Sequence, residues 1–163
     1  MNKRDSTFSQ SMMLVAVLLC CLVLSRASRL VAQDVLTWHN DNARTGQNLA
    51  EPTLTLQNVN PRTFGKLFVL RVDGKVDAEP LYVARTEIPH KGFRNVLFVA
   101  TEHDSLYAFD ADTGEPFWHF RLLKPAEASS SVHCGQIQPE IGITATPVID
   151  RHRGRTARFM WSR

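Results

Sequence analysis

Cysteine is scarce in this chain and badly placed for cross-linking. Of the three cysteines, Cys20 and Cys21 are adjacent inside an apolar run and Cys134 stands alone, so neither a disulfide framework nor a C-x-x-C redox pair can be drawn. The six histidines show no H-x-H or H-E-x-x-H spacing, which leaves a zinc site without ligands at metal-binding distance. No G-x-S-x-G elbow occurs, so a hydrolase triad has no anchor. Asn40, Asp41 and Asn42 lack the alternating acidic ligands and terminal Glu of an EF-hand, and turn chemistry explains them. Long apolar runs are missing too. Met12 to Leu24 is the longest, with 13 residues. At about 1.5 Å per residue it reaches roughly 20 Å, short of a bilayer core of about 30 Å.

That run follows Lys3 and Arg4 and precedes small and polar residues, the layout of a secretory signal over residues 1–32. Cleavage is expected after Ala32, ahead of the polar Gln33-Asp34, with Ala27 as a second candidate site. Arg26 and Arg29 resist translocation, so an uncleaved N-terminal anchor is the alternative. The chain is expected to be exported, to the periplasm or the exterior, and to meet a membrane only through this signal.

The formal charge of +3 does not describe the body of the chain. Residues 33–150 hold ten Lys and Arg against fifteen Asp and Glu, a net of −5, and the basic excess sits at the two ends. A nucleic-acid partner, which needs clustered positive charge on a folded face, loses its support.

From residue 66 onward the text reads as short strands punctuated by turns, with no sustained 3.6-residue apolar period, so the class is all-β. Strands are expected at Lys66–Val72, Asp77–Val83, Val96–Thr101, Ser105–Asp110, Phe117–Leu122 and Ile143–Ile149, with loops at 85–95 and 124–140. LFVL and VLFVA are apolar on both faces, as in a sheet covered on both sides. Pro80 and Pro147 are tolerable only where a ladder hydrogen bond can be spared.

An internal repeat organises these strands. Val76 to Val83 aligns with Ile143 to Asp150, setting Pro80 on Pro147 and Ala78 on Ala145 at a spacing of 67 residues; Leu67 to Val72 likewise corresponds to Phe117 to Leu122. Between them lies A-F-D-A-D-T-G-E-P-F-W, Ala108 to Trp118. Asp110, Asp112 and Thr113 offer oxygens to turn amides, Gly114 can take positive φ, Ala108 keeps the sheet thin, and Trp118 supplies a flat docking surface.

The pattern A-x-D-x-x-T-G-x-x-x-W, preceded by V-L-F-V-A-T, resembles the tryptophan-docking signature of PQQ-like (quinoprotein-type) β-propeller repeats. Such repeats occur in quinoprotein dehydrogenases and in outer-membrane assembly propellers. The resemblance covers roughly residues 35–150, and Trp38 to Asn48 and Pro139 to Asp150 look like segments of exported bacterial proteins of this kind. It implies an incomplete β-propeller: residues 33–65 lead in, and residues 66–150 form one four-stranded blade plus the first strand of the next. The missing partners are the remaining blades. The repeat is a structural unit, so an exported scaffold that binds protein or glycan is the expected function of the parent, and the truncated chain as given, with apolar blade faces uncovered, is expected to be unstable and to have no independent activity. A quinoprotein dehydrogenase is the alternative, which would require PQQ, calcium and a catalytic Asp. The adjacent cysteine pair found near the quinone in several such enzymes is absent after the signal.

Residues 151–163 form a basic tail where the pattern expects a second strand. Read in a shifted frame from Arg155, permitted codons give G-T-I-Y-V-V-A, a strand like V-L-F-V-A-T, so the tail is expected to be out of frame; a real basic tail is the alternative. Blade topology places the loop Glu102, His103, Asp104 on the same face as the connection carrying His133, Cys134 and Glu140, and Asp73 and Lys75 join them. Glu102, His103, Asp104 and Glu140 are therefore the candidate ligand-face residues, against a plain turn reading. No catalytic or metal-binding residue is assigned.

Overall fold

The computed structural model describes residues 33–130 and 135–151 and the backbone of residues 158–160. The expected signal over residues 1–32 with its cysteines and candidate cleavage sites, His133, Cys134 and most of the basic tail lie outside them.

The described chain is all-β. Four strands, β1 (Leu81–Ile88), β2 (Gly92–Ala100), β3 (Ser105–Asp110) and β4 (Pro116–Arg121), form one antiparallel meander in the order β1-β2-β3-β4. A short β5 (Val148–Asp150) pairs with β6 (Arg158–Met160).

Several boundaries differ from the sequence reading. The first strand does not begin at Asp77, and the expected loop at 85–95 is a hairpin: Lys91 N–H returns to the Ile88 carbonyl at 3.0 Å, with His90 and Gly92 at φ 62° and 72°. Pro89 and Gly92 made this stretch read as a loop, whereas they supply the bend between two continuing strands. The ladder is interrupted between Val83 and Thr86. There Arg85 takes φ 51°, its N–H is met by the Asn95 side chain, and Ala84 N–H is met by Asp34. Ile143–Ile149 is a strand only from Val148. Pro80 and Pro147, equivalent in the repeat, each stand one residue ahead of the ladder, because a residue without N–H cannot extend it.

Lys66–Val72 is the largest departure. It joins no ladder, yet Phe68, Leu70 and Val72 are half-buried in alternation with exposed neighbours. Leu70 and Val72 pack on the cluster of Val99, Tyr107 and Phe109. The segment lies extended on one face of the sheet by side chains alone, and its outward side chains Leu67 and Val69 are 88% and 70% exposed.

The opposite face carries Leu81, Val83, Val96, Phe98 and Ala108, covered by Ile149 with Val35 and Leu36, and beside them Ala100 and Leu106 packed with Ala78 and Ile143. Val35 bridges Tyr82 at the β1 edge, and Leu36 accepts from Ile149 N–H at 2.9 Å. β3 is buried along its whole length because it has packed chain on both faces. Its continuous apolar character follows from that position.

Candidate functional site

The β3–β4 connection is built by the segment Ala108 to Trp118. Asp110 Oδ1 accepts from the N–H groups of Asp112 and Thr113 at 2.9 and 3.0 Å, and Gly114 N–H returns to the Asp110 carbonyl at 2.8 Å. Thr113 Oγ1 accepts from Glu115 N–H. Gly114 sits at φ 79°, and a Cβ there would stand 2.9 Å from the Phe68 ring. The glycine thus serves two ends, a left-handed turn and a seat for the segment lying on the sheet. Ala108 is fully buried directly opposite Trp118. The indole lies 6.0 Å from the Phe98 ring and remains 38% exposed. Phe120, on the same face, is 58% exposed.

At the other end of the sheet, the β2–β3 turn gathers the candidate ligand-face residues. Asp104 takes φ 55° and closes the turn on the Thr101 carbonyl. His103 Nδ1 is 2.9 Å from both carboxylate oxygens of Glu140. Since the carboxylate only accepts, Nδ1 carries the proton. Glu102 is fully buried: Oε2 accepts from Gly142 N–H at 2.7 Å and Thr144 Oγ1 at 3.0 Å, while Oε1 has no partner among the described residues. Its own N–H donates to the Lys75 carbonyl at 2.9 Å, and Ile143 N–H donates to the Thr101 carbonyl at 3.2 Å.

The turn is therefore clamped between two repeat-equivalent segments, 73–79 and 140–146, with Asp73 and Glu140 in matching positions. Both approaches are close. A Cβ on Gly74 would meet His103 at 2.9 Å, and one on Gly142 would fall on the Glu102 carbonyl. A cleft of about 430 Å³ beside the turn is lined by Asp104, Glu127, Ser130 and Ile141.

A polar network that the sequence reading did not assemble lies beneath. Asp73 accepts from Thr101 Oγ1 at 3.0 Å and Ser105 Oγ at 2.6 Å, and its N–H donates to the Tyr107 hydroxyl. His119 Nε2 is 3.1 Å from Ser105 Oγ, and its ring stacks on Tyr107 at 4.3 Å. Partial burial pushes the Asp73 carboxyl up. The hydrogen bonds from Ser105, Thr101 and Tyr107 and the His103 charge outweigh that and hold it below its usual range. Burial, reinforced by the Asp73 charge, pushes the Tyr107 phenol up.

Ser105, His119 and an Asp invite comparison with a nucleophilic triad, but the proton roles are reversed. Ser105 gives its only hydrogen to the ionised Asp73, so His119 Nε2 must donate to Ser105 rather than accept from it. This serine is locked as a structural bridge. The signal for the network was the 67-residue offset that equates Asp73 with Glu140; Ser105 and His119 carried no motif of their own.

Among the described residues no group of three His, Cys, Asp or Glu side chains converges as a metal site, and the donor set does not form a calcium cage. Comparison with protein-family models, with curated proteins and with solved structures finds no match for this chain.

Proposed function

We propose that this chain is part of an exported β-propeller of the PQQ-like repeat type, acting as a non-catalytic scaffold that binds protein or glycan through its loops. The observation that carries the reading is the placement of the two repeat-related flanks. Residues 67–72 lie on one face of the sheet and residues 143–150 on the other. Their repeat counterparts are β4 and the lead into β1. In radially stacked sheets, the fourth strand of one sheet and the first strand of the next occupy these positions. Leu67 and Val69 turn outward on the first flank, and Phe120 on the sheet itself is exposed.

The turn at Glu102–Asp104 supports the same reading. It is held by backbone and carboxylate bonds from both flanks, so it is a joint between repeats, and the loops beside it are positioned by rigid sheet. The Ser105 hydroxyl, which is committed to Asp73, favours binding over catalysis.

Expressing the complete reading frame of the parent gene, incubating it with PQQ and calcium, and recording bound-cofactor absorbance and dye-linked alcohol oxidation tests the function. The scaffold reading expects neither signal. Stoichiometric absorbance with turnover replaces it with a dehydrogenase.

A further inference from the structure

The segment Trp38 to Asn48 is not used by the sheet or by its joint, yet it is tightly built. His39 N–H donates to Glu79 Oε2 at 2.8 Å, Gly46 N–H returns to the His39 carbonyl at 2.9 Å, and Asp41 holds Thr45 N–H. Arg44 takes φ 57°, a left-handed conformation that a long side chain adopts only under constraint. Its guanidinium lies over the Trp38 ring, 5.0 Å from the centroid. Among the described residues no carboxylate pairs with it.

Arg44 and Trp38 form one wall of a cleft of about 390 Å³, and Asp77, Thr144, Ala145 and Thr146 form the other. This size lies within the usual range for small-ligand sites, about 300–1,000 Å³. The lining offers polar and apolar surface in similar amounts, which suits an occupant with both hydroxyl groups and a carbon face. Thr146 Oγ1 accepts from Glu79 N–H at 2.9 Å, so its own hydrogen is free to donate. Asp77 supplies acceptors, and its charge is offset by Lys75 at 2.9 Å, so it does not repel an anion at full strength.

We infer that this cleft is a binding site for a small carboxylate on a hydroxylated skeleton, the chemistry of an acidic sugar. The carboxylate meets the Arg44 fork, for which a planar, stacked guanidinium is pre-oriented, and hydroxyls meet Asp77 and Thr146. The inference stands whether or not the sheet belongs to a propeller, since it rests on the cleft and on Arg44, which no carboxylate among the described residues pairs with.

Calorimetric titration of the full chain with galacturonate, gluconate and galactose tests it. Galacturonate is expected to bind saturably and galactose not to bind. Gluconate binding equally well assigns the site to hydroxy acids in general, ring or open-chain, and still supports the carboxylate. Arg44→Gln is expected to weaken galacturonate by about 10- to 100-fold, the worth of a hydrogen-bonded charge pair. Arg44→Lys, which keeps the charge but loses the fork, falls between, and it decides the matter should Arg44→Gln lose the native circular dichroism. Galactose binding as tightly as galacturonate, no saturable binding of either acid, or an affinity unmoved by both substitutions overturns the assignment.

Discussion

Replacing Gly114 by alanine probes the link between the docking signature and the segment that lies on the sheet. The backbone there is at φ 79°, and the new Cβ would stand 2.9 Å from the Phe68 ring. Forcing an L-residue into the left-handed region costs about 1–2 kcal/mol. Overpacking against a half-buried ring adds about 1–3 kcal/mol. The lost freedom of the unfolded chain returns about 0.4–1 kcal/mol, leaving a net destabilisation of about 1–4.5 kcal/mol. Native-state proteolysis in dilute solution reads this as cleavage faster by about 5- to 2,000-fold when cleavage follows the open population. The Phe68 contribution is isolated by a double-mutant cycle. Phe68→Ala alone removes a partly buried ring, but in the Gly114→Ala background it also relieves the clash, so the double variant should fall short of the summed costs by about 1 kcal/mol or more. Additivity within about 0.5 kcal/mol would mean that Phe68 does not sit on this turn, and the docking account of Gly114 would be refuted.

Gly142→Ala, whose Cβ falls on the Glu102 carbonyl, should destabilise the fold strongly, whereas Gly135→Ala, in open space, should change proteolysis little. Glu102→Ala removes the acceptor shared by Gly142 N–H and Thr144 and should cost about 2–4 kcal/mol, seen as faster amide exchange at Gly142 and Ile143. The Asp73 carboxyl titrates below its unfolded value, so its contribution is fully present above about pH 4 and fades as pH falls through the folded pKa. Asp73→Asn should therefore flatten the acid limb of a stability profile recorded from pH 7 to 2, and an unchanged limb would remove Asp73 from the network. Replacing Leu67 and Phe120 by serine should reduce self-association of the chain in sedimentation velocity, because both are exposed apolar side chains.

The all-β class and three of the four sheet strands were legible because VLFVAT, SLYAFD and FWHFRL are apolar runs bounded by turn residues. Ser105–Asp110 coincides with β3. The first strand was misplaced because Pro89 and Gly92 look like loop punctuation, while the hairpin uses them at its bend. Lys66–Val72 has the composition of a strand, but composition cannot say whether the backbone finds a partner, and here only the side chains do. The clustering of Glu102, His103 and Asp104 with Glu140 followed from the alternation of loops between the ends of a meander. The burial of Glu102 and the Ser105–Asp73–His119 bridge did not, since a buried carboxylate and a solvated turn residue are the same letter. The basic tail, where the pattern expects a second strand, contributes β6 against β5, a pairing open to any short segment with free backbone groups.

The central claim is that this sheet is one repeat of a propeller. Sequencing the genomic DNA beyond the codon for Arg163 tests it most directly. The account predicts, in a shifted frame, further repeats carrying A-x-D-x-x-T-G-x-x-x-W after a V-L-F-V-A-T-like strand. Downstream DNA with no frame encoding that pattern would contradict it.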